Sequence, residues 1–565
     1  MEKIWEIAPE IEEDFQNKFP EINPIILQLL FNRGLKTQKK IDEFLFPDYS
    51  QDLHDPFLFK NMKKAVNRIF SAVEKGEKMV VCGDYDADGI TASAILFLTF
   101  KKMGAKKITV YIPDRETDGY GLNKKIVEKF IKDKVDLIIT CDCGTTNFEE
   151  IKMAKKAGID VIVTDHHCPG EGIPQVFAII NPQIEKETYP FNYLAGVGVA
   201  FKLIQGILKS PKCQIDNKEG MEKWFLDLVA IGTVADSMPI LGENRTLVKY
   251  GLIVLNKSAN IGLRSLIKKS GLVLGGIETN SIVYYLSPRL NAAARIKHAE
   301  EALKLILTED EEKAKEFADN LNDFNKKRQV LVERVIKEIR EQIDPDSKDK
   351  ILVLLGKDWP KGILGLAASK LLDEYYRPVI ILSQKGKEAV GSGRSIPNLN
   401  LHEILSQLDK YFSRFGGHPG AVGLTLKDIN LFEDFKKELN KIAEKKIKEE
   451  DFIPKIKIDA KVKLKDINWD LYESLVKFEP FGRDNWQPNF LVRNVILNDL
   501  QKVGQKKQHC RLVVGDNKKM IYFSPNSGVF DFKKGDRLDI IFQLGVNQWN
   551  GHQELQFKVI DIKRS

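Results

Sequence analysis

From Lys78 to Asn181 the chain alternates without a break between short apolar runs and amphipathic stretches, and this alternation limits the fold more than any other feature of the sequence. The runs KMVVCG, KITVYI, VDLIITC, DVIVT and FAIIN have strand length. The first four are parted by helix-length segments such as ASAILFLTFKKM, NKKIVEKFIK and FEEIKMAKKAG. Strands joined by helices of this kind make right-handed βαβ crossovers, so the sequence predicts a parallel sheet covered on both faces. Ligands of such sheets bind beyond the carboxyl ends of the strands. Asp84, Asp142 and Asp165 each follow an apolar run at that end, which lines acidic turns along one edge of one sheet.

A chain of 565 residues is too long for one core. Helical segments follow the first sheet, and from His298 to Gln342 the chain reads as one long charged connector helix without Gly or Pro. The runs ILVLLG, GILGLAASKLLDEYY and PVIILS then open a second α/β domain. After KIAEKKIKEE, short alternating runs parted by turn residues predict a small closed barrel. The expected division is an N-terminal helical segment (1–60), a catalytic domain (61–297), the connector (298–345), a second α/β domain (346–449) and the barrel (450–565). From Asp451 onward 20 Lys and Arg stand against 14 Asp and Glu, nearly the whole of the formal +7, so a polyanionic partner is expected there. The six cysteines are too scattered for a disulfide framework. No apolar run is long enough to span a bilayer and the N-terminus is acidic, so a cytoplasmic protein without membrane contact is expected.

The stretch VVCGDYDADGITAS crowds Asp84, Asp86 and Asp88 into one turn. Carboxylates this close repel each other unless water or a cation intervenes. Asp142 in TCDCGTT, Asp165, His166 and His167 in TDHH, and Asp236 at a predicted helix end in GTVADSMPI join them. Carboxylate and imidazole without an obligatory thiolate suit Mn²⁺ or Mg²⁺, and two such ions together can drive phosphoryl hydrolysis. Cys141, Cys143, His166 and Cys168 offer an alternative structural zinc site, but alternation along a strand turns Cys141 and Cys143 away from the face used by Asp142.

These motifs resemble the DHH phosphoesterase superfamily. LAGVGVAFKL, DLVAIGTVADSMPILGENR, LSPRLNAAARI, GSGRSIPNLNLHEIL, FGGHPGAVGL, EPFGRDNWQPNF and NQWNGHQELQ are similar to segments of its RecJ-type single-stranded-DNA exonucleases. The resemblance implies a DHH domain, a DHHA1-type second domain and an OB-type barrel. It implies Asp84, Asp86, Asp142, His166 and Asp236 as ligands of two ions, with Asp142 bridging. His167 would contact the scissile phosphate and Asp165 would orient His166 or His167, while Asp88 is left as either a ligand or an acceptor that shapes the turn. Chemistry is therefore expected from Asp88, Asp165 and His167 beside the ligand set.

For the nucleic acid, GSGRS offers Ser392, Arg394 and Ser395 around a phosphate on a glycine-rich segment, and FGGHPGAVG offers His418. Arg289, Asn291 and Arg295 are expected to share a polar helix face, and Arg115 and Tyr120 to meet the terminal nucleotide. In the barrel, Lys507, Arg511 and Trp549 are the main candidates, with Lys502, Lys506, Tyr522 and Phe523 beside them. Cys143, Pro360 and Ala294 depart from the family's usual Asn, His and Gly. The implied function is 5′-to-3′ hydrolysis of single-stranded DNA by a monomer, with a single-stranded-DNA-binding protein or a helicase as candidate partners. The alternatives are a phosphodiesterase for short oligonucleotides or cyclic dinucleotides, and a non-catalytic replication scaffold.

Overall fold

The computed structural model describes residues 3–565 apart from 171, 345, 346, 348, 526, 550 and 551. They form two units, one of Leu53–Met238 and Leu247–Pro454, the other of Met1–Asp52, Pro239–Thr246 and Lys455–Ser565. No helix among the described residues is long and apolar enough to cross a membrane.

In the first unit the alternating segment folds as its period requires. The elements are β1 (Met79–Gly83), α1 (Ala87–Lys102), β2 (Ile108–Tyr111), α2 (Lys124–Lys132), β3 (Leu137–Cys141), α3 (Phe148–Lys156), β4 (Asp160–Thr164) and β5 (Ala178–Ile180). The strands pair in the order β2-β1-β3-β4-β5 and every pairing is parallel. One face packs Val80, Ile138 and Val163 against Ile126, Val127, Phe130 and Ile151 of α2 and α3. Register places the acidic turns: Gly83 lies opposite Cys141 and Cys141 opposite Thr164, so the next residues, Asp84, Asp142 and Asp165, line one edge.

Helices α4 (Gly196–Lys209) and α5 (Leu226–Ala235) follow, buried almost all round as a helix packed between layers must be. Then come α6 (Ser287–Ile296), entered through a π-helical turn at Ile282–Leu286, and the connector. The single helix expected from His298 to Gln342 is divided. A short helix, Glu300–Leu307, stops, and α7 (Glu311–Arg340) starts afresh because the Asp310 side chain accepts from the Glu312 and Lys313 amides at 2.9 and 3.1 Å.

The second α/β sheet contains β6 (Leu352–Lys357), β7 (Val379–Lys385), β8 (Glu388–Arg394), β9 (Phe412–His418) and β10 (Ala421–Leu426), with α8 (Lys361–Tyr375) between β6 and β7. Only β6 and β7 run parallel among these pairings. The GSGR residues are part of β8, antiparallel to both neighbours, rather than an anion-cradling loop. Their backbone amides belong to the ladder, so only side chains are left to meet a phosphate.

The other unit holds the predicted barrel. Its strands run Ala460–Lys461, Phe490–Val503, His509–Val514, Lys518–Tyr522, His552–Arg564 and Arg537–Trp549, and pairing of Phe490–Val503 with Arg537–Trp549 closes it. The N-terminal segment belongs to this unit. Strand Ile4–Ile7 pairs in parallel with Lys455–Ile458, and Ile11, Phe19, Ile26, Leu27, Leu29 and Leu30 share a core with Leu512, Phe542 and Phe557.

Candidate metal centre

The first acidic turn leaves β1 and caps α1. Asp86 Oδ1 accepts from the Asp88 and Gly89 amides at 2.9 and 3.1 Å, and the Ala87 amide donates to Asn291 Oδ1 of α6 at 2.7 Å. Gly89 is required by close approach, since a Cβ there would lie 2.5 Å from the Asp84 carbonyl oxygen. Asp88 turns inward to the N-terminus of α4, where its two oxygens accept from the Gly196 and Val197 amides at 2.7 and 2.8 Å. A Cβ on Gly196 would fall 2.5 Å from the Asp142 Cβ, so this helix end can approach only without a side chain.

Asp142 has φ 59°, a left-handed conformation uncommon for a residue with a side chain and concentrated at functional sites. Its neighbours point elsewhere: Cys141 Sγ lies 3.2 Å from Ser93 Oγ and Cys143 Sγ 3.7 Å from the Cys82 carbonyl oxygen. Asp142 thus faces the other acids alone, as strand alternation implies. The carboxylate and imidazole groups that bring ligand atoms within 4.8 Å of one another are Asp84, Asp86 and Asp142; Asp88, His166 and Asp236; and Asp142, His166 and His167. Among the described residues no such cluster includes a thiol, which leaves the zinc alternative without support.

His166 Nε2 lies 3.1 Å from Asp142 Oδ1, 3.6 Å from Asp236 Oδ2 and 4.0 Å from Asp88 Oδ2. Yet His166 Nε2, Asp142 Oδ1 and Asp84 Oδ1 are all buried without a hydrogen-bond partner. Leaving such atoms unpaired is costly, and a cation would satisfy all of them. Burial, together with repulsion by Asp86, pushes the Asp88 acid up to about 7 and raises Asp84 well above the usual carboxylate range. Burial and the charge of Asp88 do the same to Asp142, while burial and His167 hold His166 down at about 4, a neutral ring with a free lone pair. The donor set therefore fits hard divalent cations.

Asp165 works on His167. Its Oδ1 accepts from His167 Nδ1 at 2.8 Å and its Oδ2 from the Thr145 amide at 2.9 Å. Against burial, the hydrogen bond and charge of this pair raise His167 to about 9 and lower Asp165 to about 2. The network assigns the Nδ1 proton to this contact, so Nε2 is the ring nitrogen left for another partner. Tyr120 closes the edge, its hydroxyl 3.0 Å from both the Asp142 carbonyl oxygen and His167 Nδ1. Asn181, which sequence reasoning missed, holds the turn by donating to Thr145 Oγ1 and the His167 carbonyl, both at 2.9 Å.

Beside the acids stands a set of cations. Arg115 lies over the Tyr85 ring at 5.0 Å, Arg295 donates to the Gly362 carbonyl, and Arg394 Nη1 donates to Ser392 Oγ at 3.0 Å. Arg115 repels Arg295, Arg394 and Lys361, and among the described residues none of the four forms a salt bridge. Lys361, next to Pro360 at the start of α8, is a further residue the sequence reading missed. Asn291 and Arg295 do share a face of α6. Arg289 does not; two residues from Asn291 is more than half a helical turn, and it reaches Asn322 of α7 at 3.2 Å instead. The Ser395 hydroxyl is spent on the Leu399 carbonyl at 2.9 Å, and His418 is exposed at the end of β9.

In the barrel Lys507 is exposed in a turn, Arg511 bonds Gln501, and Tyr522 is core. Phe523 is exposed beside His509, with ring centroids 5.2 Å apart. The side chain of Trp549 lies outside the described residues.

Comparison with known proteins agrees with this geometry. The family models for the DHH family N-terminal domain, the DHHA1 domain and the RecJ OB domain match residues 78–233, 348–445 and 458–561. Fold and site together define a DHH-type phosphoesterase with an added OB barrel. The single-stranded-DNA-specific exonuclease RecJ of Bacillus subtilis is 36% identical over 565 residues, covering 99% of this chain and 70% of the relative. Crystal structures of Thermus thermophilus RecJ with Mn²⁺ and with Mg²⁺ superpose with TM-scores of 0.85 and 0.78 at 27% and 25% identity, covering 100% of this chain and 80% and 78% of theirs. The chain belongs to the RecJ family of single-stranded-DNA-specific exonucleases, as its motifs led us to expect.

Proposed function

We propose that the chain is a single-stranded-DNA-specific exonuclease that hydrolyses phosphodiester bonds from the 5′ end and releases mononucleotides, with a role in DNA repair and recombination. The observation that carries this reading is the convergence of the unpartnered Asp84, Asp142 and His166 atoms on one acidic pocket. Asp84, Asp86 and Asp142 would hold one Mn²⁺ or Mg²⁺, and His166 and Asp236 a second beside Asp142. Asp88, whose two oxygens accept from the Gly196 and Val197 amides, would shape the turn that carries the ligands. When bound, such ions would supply the positive charge that favours ionised water as nucleophile and stabilises the leaving oxygen.

The protein's own groups bind and orient. The cationic His167, held by Asp165, offers its Nε2 proton to a phosphate oxygen. Arg115, Arg295, Arg394 and Lys361 neutralise the strand end, and Ser392 and Tyr120 complete its walls. The DHH domain (61–297) carries the chemistry, the DHHA1 domain (346–449) part of the strand end, and the basic barrel (450–565), through Lys507 and Arg511, more of the polymer. A monomer in the cytoplasm, working beside a single-stranded-DNA-binding protein or a helicase, completes the reading.

The test uses 5′- and 3′-labelled single-stranded DNA with Mn²⁺. Stepwise shortening from the 5′ end, abolished by chelator, is expected. Asp142→Asn is expected to lower kcat by about 10³-fold or more, since it touches both clusters. A strand left intact by the wild-type protein, or trimmed equally well by Asp142→Asn, would end the proposal.

A further inference from the structure

Asp236 differs from the ligands beside it in how it is held. Its side chain is 29% accessible, against 4% for Asp142 and 8% for His166, whose Nε2 lies 3.6 Å from Asp236 Oδ2. A carboxylate that packing encloses so little depends on the backbone under it for its place. That backbone is the end of α5, where the Asp236, Ser237 and Met238 amides donate to the Gly232, Val234 and Thr233 carbonyls at 2.9, 3.1 and 3.2 Å. The last two bonds make a Schellman ending, which requires a left-handed residue after the cap and usually takes glycine there. Here that residue is Ser237, with φ 55°. A side chain is disfavoured in this conformation, which persists only where the structure around it holds it in place.

The chain just beyond is anchored as well. Pro239–Thr246 belongs to the barrel's unit. The Ile240 amide donates to the Arg483 carbonyl at 2.9 Å, and Asn244 Nδ2 to the Pro239 carbonyl at 3.1 Å. Arg245 donates to the Phe44, Lys477, Phe478 and Glu479 carbonyls. Gly482 is fixed by amide bonds exchanged with Asn485 at 2.9 and 3.1 Å, and a Cβ on it would fall 2.6 Å from Ile240 Cγ1. Chains ordinarily pass from one core to the next through slack, exposed linkers. Here only Pro239, whose ring fixes its own φ, separates the bonded amide of Met238 from that of Ile240. The crossing is taut, and it starts two residues after a metal ligand.

We propose that Ile240 is a positioning residue for the metal centre, with Arg245 securing its segment. By fixing the chain beyond Met238 they hold Ser237 in its left-handed turn and keep Asp236 beside His166 and Asp142, so that the second ion binds tightly. The inference rests on the reading of Asp236 as a metal ligand and deepens it. It gives the barrel's unit a part in loading the metal, through the covalent chain and apart from any nucleic acid.

The experiment titrates Mn²⁺ into the metal-free full chain by calorimetry and follows melting in chelator, with no turnover involved. The wild type is expected to bind two ions. A Gly-Gly insertion between Met238 and Pro239 keeps both anchors and slackens what joins them. It is expected to weaken one ion about tenfold and to leave the other ion and the melting temperature unchanged. Gly482→Ala is expected to weaken the same ion by displacing Ile240, a β-branched side chain with little rotamer freedom, and Gly482→Ala combined with Ile240→Ala to restore it. Leu512→Ala, which takes a buried side chain from the barrel core, should lower the melting temperature and leave both affinities as they are. Full affinity for both ions in the insertion variant, or equal losses in Leu512→Ala and Gly482→Ala, would overturn the link and leave the metal centre standing. A wild type that binds fewer than two ions would remove the reading of the ligands, and the link with it.

Discussion

Asp227 is buried at the head of α5, accepting from Ser258 Oγ at 2.8 Å and from the Leu228 amide at 2.7 Å, and burial outweighs these bonds to raise its acid to about 6. A carboxyl raised in the folded state binds its proton more tightly there than in the unfolded chain. Stability is therefore highest below pH 4 for this group and is lost as pH rises through about 6, by roughly 3 kcal/mol at neutral pH. Asp227→Asn keeps the shape and lets Ser258 accept instead of donate. Its stability in chelator, measured by urea unfolding from pH 4 to 8, should exceed that of the wild type at pH 8 and converge with it at pH 4; parallel curves would refute the account. Sequence spacing could not reveal such a group, because nothing in LDLVAIG distinguishes a buried carboxyl from a surface one. By contrast, Asp84, Asp142 and Asp165 were legible, since strand ends in a parallel sheet must share an edge. The left-handed turn at Asp142 and the amide partners of Asp88 were not, because both lie against α4, which begins at Gly196, far along the chain from either turn.

At the scale of elements, α1 shows how local propensity yields to packing. Gly to Ala inside a helix normally stabilises by about 1 kcal/mol. At Gly89 the added Cβ would meet the Asp84 carbonyl at 2.5 Å, and overpacking against backbone costs about 1 to 3 kcal/mol. The steric cost wins, so Gly89→Ala should lower the melting temperature in chelator and weaken the stabilisation gained on adding Mn²⁺, because Asp84 and the Asp86 cap move together. Differential scanning calorimetry with and without metal reads both effects, and a raised melting temperature would show that the turn yields freely. Elements whose signal is periodic were readable from sequence. Two boundaries were not: composition made 298–342 one helix, although Asp310 restarts it, and GSGRS has loop composition, although its glycines serve close strand packing. A Cβ on Gly391 would lie 2.6 Å from Leu382, and one on Gly393 2.7 Å from Val422.

At the scale of the whole molecule, the barrel's core is assembled from distant parts of the chain, and no periodicity could announce it. Ile11, Phe19, Ile26, Leu27, Leu29 and Leu30 bury against barrel residues. Arg245, 1% exposed, donates to the Phe44, Lys477, Phe478 and Glu479 carbonyls at 2.8 to 2.9 Å and so ties three segments into one unit. Each large apolar side chain contributes about 1.5 to 3 kcal/mol when buried, so losing six of them removes about 10 kcal/mol, comparable with the whole stability of an ordinary domain. Residues 455–565 expressed alone should therefore lack a cooperative melt and bind a hydrophobic dye, and residues 1–52 added as a separate peptide should restore part of the transition. A sharp melt of the isolated barrel, unaffected by the peptide, would mean that its own strands suffice, and the shared core would then be a contact between two independently stable parts.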